Sequence, residues 1–333
     1  MTHNPPLSLR TRLERWELAS PIESQHGTFY EDETLLVELS DGVHIGRGET
    51  VGMLHLGESA DALATEVEAL RTELGDGLTR FSLREWLPPG SVRAVLDAAL
   101  WDLESQQRGI RVDALAGHAG AFDSPVRSLV TLSPATVAEL SDLLRLLPLD
   151  VAIKLKLNDP DEVERLSLVR ACRPDATLVV DANGGWNSEQ LAQLLPALQA
   201  ARVDLVEQPL PPDADGELSR FSGAIPFAAD EACGDLASLE RLAGLYDFVN
   251  VKLEKCGGLT EGLQMARRAR ELNMQVMVGC FGGTSLSIAP AFVMASRCTY
   301  ADLDAPLLLR TDRPGAASHD GTWIAPPAQG FWG

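Results

Sequence analysis

The stretch VAIKLKLNDPDEVERLSLVRACRPDATLVVDAN, residues 151–183, contains one complete structural repeat. Its first apolar run, Val151 to Leu157, carries Lys154 and Lys156 near its end. DEVERLSLVRAC follows with apolar residues at helical spacing, and a second apolar run then ends in Asp181 and Asn183. Strand, helix, strand in that order predicts two parallel strands joined by a helical crossover. The same texture continues on both sides, from about residue 126 to 310. The apolar runs are VRSLVTL, VAIKLKL, TLVVDAN, DLVEQPL, PFAADEA, FVNVKLEK, QVMVGCF and ADLDAPL, with helical patterns such as NSEQLAQLLPALQAA and TEGLQMARRARELN between interior ones. Eight units at roughly 25-residue spacing predict a closed (β/α)8 barrel.

Upstream, residues 10–60 read as a meander of antiparallel strands, with Asp41-Gly42 as a turn signal. Residues 60–120 read as helical: Ser59 is a candidate cap for one helix, and a second runs from Ser91 to Gly109. These patterns divide the chain into an α+β unit over 1–122, the barrel over 123–310, and a turn-rich segment, 311–333, expected to fold back on the first unit. No low-complexity linker separates the parts.

With 28 basic and 48 acidic side chains in 333 residues, the formal charge is 28 − 48 = −20. Such a surface repels phosphate, which argues against nucleic-acid partners and anionic membranes. Hydrophobic residues at 45% and charged residues at 23% suit a folded, soluble chain. Five scattered cysteines form no CxxC pair, so a reducing cytoplasm is the expected compartment. The N-terminus has no apolar core of signal-peptide length.

The chemistry lies at the strand ends. From Lys154 the steps are 27 residues to Asp181, 26 to Glu207, 23 to Asp230 and 22 to Lys252. One ionisable residue per unit, at the C-terminal end of its strand, gathers them at one barrel mouth. Three carboxylates on successive strands resist joint ionisation unless a cation lies among them. Hard oxygen donors in that number suit Mg²⁺. Lys156 and Lys252 would project from opposite sides of the metal. A lysine near a divalent cation and another cationic group is expected to have a lowered pKa and to act as a base. Two such bases facing one carbon can remove a proton from one face and return it to the other. The metal would stabilise the enediolate that forms as the proton leaves. Lys154 shares the parity of Lys156 and is a candidate to tune that amine or to bind a substrate carboxylate.

Taken together, KxK, DAN, EQP, DE and VKLxKCGG resemble the enolase superfamily, muconate-lactonizing subgroup, over nearly the whole chain. The resemblance implies a capping domain before the barrel, Mg²⁺ on Asp181, Glu207 and Asp230, and Lys156 and Lys252 as the acid/base pair. Asn183 and Glu231 would support the metal site. None of the six histidines lies between residues 126 and 310, so the branches with a histidine base on the seventh strand do not fit.

Within that subgroup the chain is most similar to dipeptide epimerases. ADLDAPLLL carries Asp302 and Asp304 two residues apart, facing the same way on a strand. A similar pair in dipeptide epimerases binds the substrate's α-ammonium; the bland alternative is a helix cap or a partner for a basic residue. GCFGGTSLSIAPA is similar to the same family, though Phe281 and Gly283 stand where many members have methionine and an acidic residue. Cys280 reads as packing. A mobile loop over residues 19–30 is expected to close on the substrate, with Glu23 and His26 as candidates to meet its side chain and Thr131 to meet its backbone. The expectation is therefore a Mg²⁺-dependent isomerase that epimerises dipeptides. The rivals are an o-succinylbenzoate synthase or N-succinylamino acid racemase and, more distantly, a non-enzymatic binding protein. Homo-oligomer formation is an open possibility of the resemblance, with no interface signature in the sequence.

Overall fold

The computed structural model describes residues 7–24, 27–74, 78–133, 136–157 and 161–333. Strands β1 (Ser8–Ser24), β2 (Gly27–Ser40) and β3 (Ile45–Thr50) form an antiparallel sheet in the order β1-β2-β3. Leu35, Val37 and Leu39 alternate onto one face, where they pack against α1 (Ala60–Ala69) and the long α3 (Ser91–Arg108). Between these helices lies α2 (Arg80–Trp86), and α4 (Val112–Leu115) follows them. Ser59 caps α1 by accepting from Ala62 N, and Gly109, at φ +62°, closes α3. Gly46 and Gly48 let β3 lie directly on α3: a Cβ on either would sit 2.1 Å from the carbonyl oxygen of Ala99 or Val95.

The expected loop over 19–30 is largely paired strand. Ile22 faces Phe29 and Thr28 faces Glu23 across the β1–β2 hairpin, after a register shift between Glu17 and Ile22. Aromatic and β-branched residues favour this extended pairing. His26 and the side chain of Glu23 lie outside the described residues.

Each of the eight apolar runs contributes to the barrel. Its strands are β5 (Val130–Leu132), β6 (Ala152–Lys156), β7 (Thr177–Asp181), β8 (Leu205–Glu207), β9 (Phe227–Ala229), β10 (Phe248–Lys252), β11 (Gln275–Gly279) and β12 (Tyr300–Asp302). They pair in sequence order, all parallel. A parallel bridge from Ser128 to Ala301 joins the two edges. The short β4 (Val126–Arg127) pairs instead with β14 (Trp323–Ala325), which also pairs with β13 (Ser318–Asp320). Helices α5 (Val137–Leu146), α6 (Glu162–Cys172), α7 (Ser188–Ala200), α10 (Leu259–Glu271) and α11 (Ser285–Ala295) serve as crossovers, with short α8 (Leu239–Leu242) and α9 (Leu253–Cys256). After β8 the proline- and aspartate-rich stretch Pro212–Phe221 makes tight 3₁₀ turns instead.

The tail meets the first unit. Trp332 Nε1 donates to Arg47 O at 3.0 Å, and Gly333 N donates to Asp102 Oδ1 at 2.9 Å. Arg313 pairs with Glu14 and the fully buried Glu49. No described helix is long and apolar enough to cross a membrane.

Candidate active site

Strand parity places the polar groups. Inside the barrel, Leu129, Ala152, Val179, Leu205, Ala228, Phe248 and Met277 form an apolar plug. Side chains alternate along a strand, so the residues two positions further on share the interior. From Ala152 these are Lys154 and then Lys156; from Val179, Asp181; from Leu205, Glu207; from Ala228, Asp230; from Phe248, Asn250 and Lys252. A polar layer thus rests on a greasy floor at the C-terminal mouth. Lys156 lies level with Asp181, Asp181 with Glu207, and Lys252 with Gly279. Strands β6 and β10 are four apart in a ring of eight, so Lys156 and Lys252 enter from across the mouth.

Asp181, Glu207 and Asp230 are all buried. Cations are already threaded among them. Lys154 Nζ lies 3.1 Å from Asp181 Oδ2, 2.8 Å from Glu207 Oε2 and 2.8 Å from Asp302 Oδ2. Lys252 Nζ takes Asp230 Oδ2 at 2.8 Å, and Lys255 Nζ takes Asp230 Oδ1 at 2.5 Å. Among the described residues, no three acidic, histidine or cysteine side chains are gathered tightly enough to hold a metal as they stand. Ammonium groups share their oxygens. The donor set nevertheless fits a hard divalent cation: three buried carboxylates on adjacent strand ends. Glu207 Oε2 is buried and accepts no aligned hydrogen bond, which suits a non-directional cation better than a directional donor.

The charges decide each group's state. Burial pushes Glu207 up to about 8, and Asp181 and Asp230 add to that while Lys154 opposes it. Burial also works against Asp181 and Asp230, but nearby lysines outweigh it. Asp181 falls below its ordinary value through Lys154 and Lys156, and Asp230 falls well below through Lys252 and Lys255. Lys154, though buried, is held well above its ordinary pKa by Asp181, Asp302 and Glu207. At Lys252, among the protein's own groups, the carboxylates outweigh burial and the neighbouring cation. Burial and Lys154 both pull it down, yet Asp230 and Glu207 leave it raised. The Lys252 ammonium also lies over the Phe281 ring, 4.6 Å from its centroid.

The remaining predicted residues sort as follows. Lys156 is half-buried, with Nζ 3.0 Å from Asn183 Oδ1 and 3.9 Å from Asp181 Oδ2. Asn183 in turn donates to Glu231 Oε1 at 3.1 Å. Asp302 ends β12, and Asp304 follows in a turn, so the two do not share a continuous strand. They still converge: Thr131 Oγ1 donates to Asp302 Oδ1 at 3.3 Å, and Thr131 N donates to Asp304 Oδ2 at 2.6 Å. Asp302 also meets a basic residue, Lys154, as the bland alternative allowed. Burial, with Asp302 beside it, pushes Asp304 up to about 6. Cys280 donates to Asp302 O at 3.3 Å, and burial holds its thiol well above the reactive range.

Several residues escaped the sequence reading. Asn250, fully buried, donates to Glu207 Oε1 at 2.7 Å. Its signal was available, since it shares the parity of Lys252 two residues on. Lys255 was quoted within VKLxKCGG without a role, and its reach to Asp230 depends on the short α9. Gln208 was quoted within a motif without a role. On the capping side, Asp32 Oδ2 accepts from Gly283 N and Glu49 Oε1 from Thr284 N, at 2.8 and 2.7 Å. Two carboxylates of the N-terminal sheet therefore hold the loop after β11.

Residues 151–331 match the family of enolase C-terminal domain-like proteins. The chain is 35% identical to the L-Ala-D/L-Glu epimerase of Escherichia coli, over 90% of this chain and 93% of that one. It is 32% identical to an N-acetyl-D-glutamate racemase of a Pseudoalteromonas species, over 90% and 95%. An enolase family member from Agrobacterium tumefaciens with homology to dipeptide epimerases, solved with sodium and L-Ala-L-Glu bound, superposes with a TM-score of 0.90. It is 34% identical, covering 98% of this chain and 100% of that one. A dipeptide epimerase from Methylococcus capsulatus, complexed with Mg and L-Arg-D-Lys, matches at 26% identity, 97% and 98% coverage and TM-score 0.84. The chain belongs to the enolase superfamily, in the muconate-lactonizing and epimerase subgroup.

Proposed function

From that membership we propose that this enzyme is a Mg²⁺-dependent dipeptide epimerase, inverting the carbon next to the C-terminal carboxylate. The observation that carries the reading is the pair Lys156 and Lys252, set across the mouth from each other above three contiguous carboxylates. Asp181, Glu207 and Asp230 would hold the ion. When bound, Mg²⁺ supplies positive charge at the substrate carboxylate, where negative charge builds as the α-proton leaves. One lysine, as the neutral amine, takes the proton from carbon: the C–H bond breaks and an N–H bond forms. The opposite lysine, as the ammonium, gives a proton to the other face, so the configuration inverts with no net change in protonation. Asn183 orients Lys156 through its 3.0 Å contact, and the Phe281 ring backs the Lys252 ammonium. Lys154 balances the carboxylate charge beneath them.

Asp302 and Asp304, joined through Thr131, make an anionic end to the site that suits the dipeptide's α-ammonium. Glu23 and His26 would meet a substrate side chain. The same reading keeps the division at residues 122/123 and 310/311, a cytoplasmic location and assembly with further copies of the chain.

A second reading, an N-acylamino acid racemase, draws on the N-acetyl-D-glutamate racemase relative. Such a substrate has no ammonium. The test is α-proton exchange in D₂O with Mg²⁺, comparing L-Ala-L-Xaa dipeptides with their N-acetyl derivatives and with N-acetyl and N-succinyl amino acids. Exchange confined to free dipeptides is expected. Exchange confined to acylated substrates would replace this reading with the second.

A further inference from the structure

Gln208 follows the carboxylate Glu207 and has a left-handed backbone, φ +35°, a conformation that costs a non-glycine residue energy. It is fully buried. Its hydrogen bonds reach all three carboxylate-bearing strand ends. The Gln208 carbonyl accepts from Gly184 N, in the turn after Asp181, at 2.7 Å, and its own N–H donates to Ala228 O at 2.8 Å. Its side-chain Oε1 accepts from Asp230 N at 3.0 Å and Ala232 N at 3.1 Å. Its Nε2 donates to Leu210 O at 2.8 Å and Tyr246 OH at 2.9 Å. The amide has one orientation only, because a flipped NH₂ would face two backbone donors. The chain of contacts continues outward: Tyr246 OH donates to Asp215 Oδ1 at 2.5 Å, and Arg241 Nη1 lies 3.2 Å from Asp215 Oδ2.

We infer that Gln208 is a positioning residue for the metal site, fixing the spacing of the ends of β7, β8 and β9 and hence the affinity for Mg²⁺, with Tyr246 and Asp215 as its brace. The inference rests on the assignment of Asp181, Glu207 and Asp230 as ligands. Packing alone would not call for a strained backbone and a fully used amide at a point that joins three strand ends. The strain is tolerated because the two N–H groups of the Asp230 turn would otherwise be buried without an acceptor.

The test is calorimetric titration of MgCl₂ into the metal-free enzyme, with circular dichroism and melting temperature as controls. Gln208→Met keeps length and burial but removes both the acceptor and the donor. Its Mg²⁺ dissociation constant should rise at least about tenfold, as for other groups that orient metal ligands. At saturating Mg²⁺ its kcat should recover while the half-activating Mg²⁺ concentration stays raised. Tyr246→Phe leaves every carboxylate and the Gln208 amide in place; its dissociation constant should rise about threefold, the loss of one hydrogen bond to the brace. Asp230→Asn reports on the underlying assignment. Wild type that takes up no Mg²⁺, or Asp230→Asn that binds as wild type does, overturns the ligand assignment and this inference with it. If Asp230→Asn loses Mg²⁺ while Tyr246→Phe and Gln208→Met bind within twofold of wild type, the inference alone is overturned. If Gln208→Met does not fold, Tyr246→Phe decides by the same criterion.

Discussion

Gly279→Ala adds one methyl group at a point where the side chains of Asn250 and Lys252 meet. A Cβ there would lie 2.8 Å from Asn250 Oδ1, 3.0 Å from Asn250 Nδ2 and 3.2 Å from Lys252 Cε. Ordinary contact begins near 3.4 Å, so Asn250 must retreat by about 0.6 Å and the lysine by about 0.2 Å. A retreat of that size is expected to break the 2.7 Å bond that Asn250 donates to Glu207 Oε1. A hydrogen bond to a carboxylate contributes about 1.5–3 kcal/mol, so the variant should lose about 2 kcal/mol of stability in urea unfolding. Displacement of a positioned group by about 1 Å can cost a hundredfold in rate, so half of that should lower kcat for α-proton exchange about tenfold. KM should change little, because the methyl lies beside Lys252 and Asn250 rather than at the ammonium end. Gly42→Ala is the matched control. Its φ is +90° with nothing within 4 Å of the added Cβ, so it should lose about 1 kcal/mol through backbone strain and keep its activity. A Gly279→Ala enzyme within 0.5 kcal/mol and twofold of wild type, a limit about equal to the scatter of neutral surface changes, would refute the reasoning.

Two further outcomes follow from the buried charges. Lys154→Met leaves Asp181, Glu207 and Asp302 without the ammonium that lies within 3.1 Å of each. Breaking a buried charge cluster costs roughly 3–5 kcal/mol, so its melting temperature should fall sharply in EDTA and recover partly in saturating Mg²⁺; equal losses in both would show that Lys154 does not share the metal's carboxylates. Asp97, in α3, accepts from Thr260 N and Oγ1 at 3.0 and 2.5 Å, and burial lifts it to about 6 from 3.8. A folded pKa above the unfolded one means that the stabilising contribution is complete below about pH 4 and is lost as pH rises through 6, a swing of about 3 kcal/mol. The stability of Asp97→Asn relative to wild type should therefore improve by that order between pH 4 and 7, and a difference independent of pH would contradict it.

The barrel was legible because its strands are short apolar runs whose interior positions end in charge, and both properties are local. The carboxylates and Lys156 could be placed for the same reason: strand parity converts spacing in sequence into a face in space. What escaped depends on contacts between distant segments. The ion pair of Lys252 with Asp230 is one such contact, and the register that brings Asp230 within 2.8 Å is not written in the spacing of 22 residues. Asn250 shares the parity of Lys252, but its partner Glu207 lies two strands away. Residues 19–30 were expected as a mobile loop from the family resemblance; the pairing of Ile22, Glu23 and Ser24 with Phe29, Thr28 and Gly27 makes those six residues strand instead. The convergence of Asp302 and Asp304 is supplied by Thr131 from a strand at the other edge of the ring, not by a shared strand.

The central claim is that Lys156 and Lys252 serve opposite faces of one α-carbon. It is tested most directly by following α-proton exchange and inversion by NMR in D₂O with Mg²⁺, from each epimer of an exchanging dipeptide, in wild type, Lys156→Ala and Lys252→Ala. Wild type should exchange and invert both epimers. Each variant should fail to invert and should still exchange only one epimer, the opposite one in the two variants. Both variants exchanging the same epimer, or either one still inverting at the wild-type rate, would contradict the account.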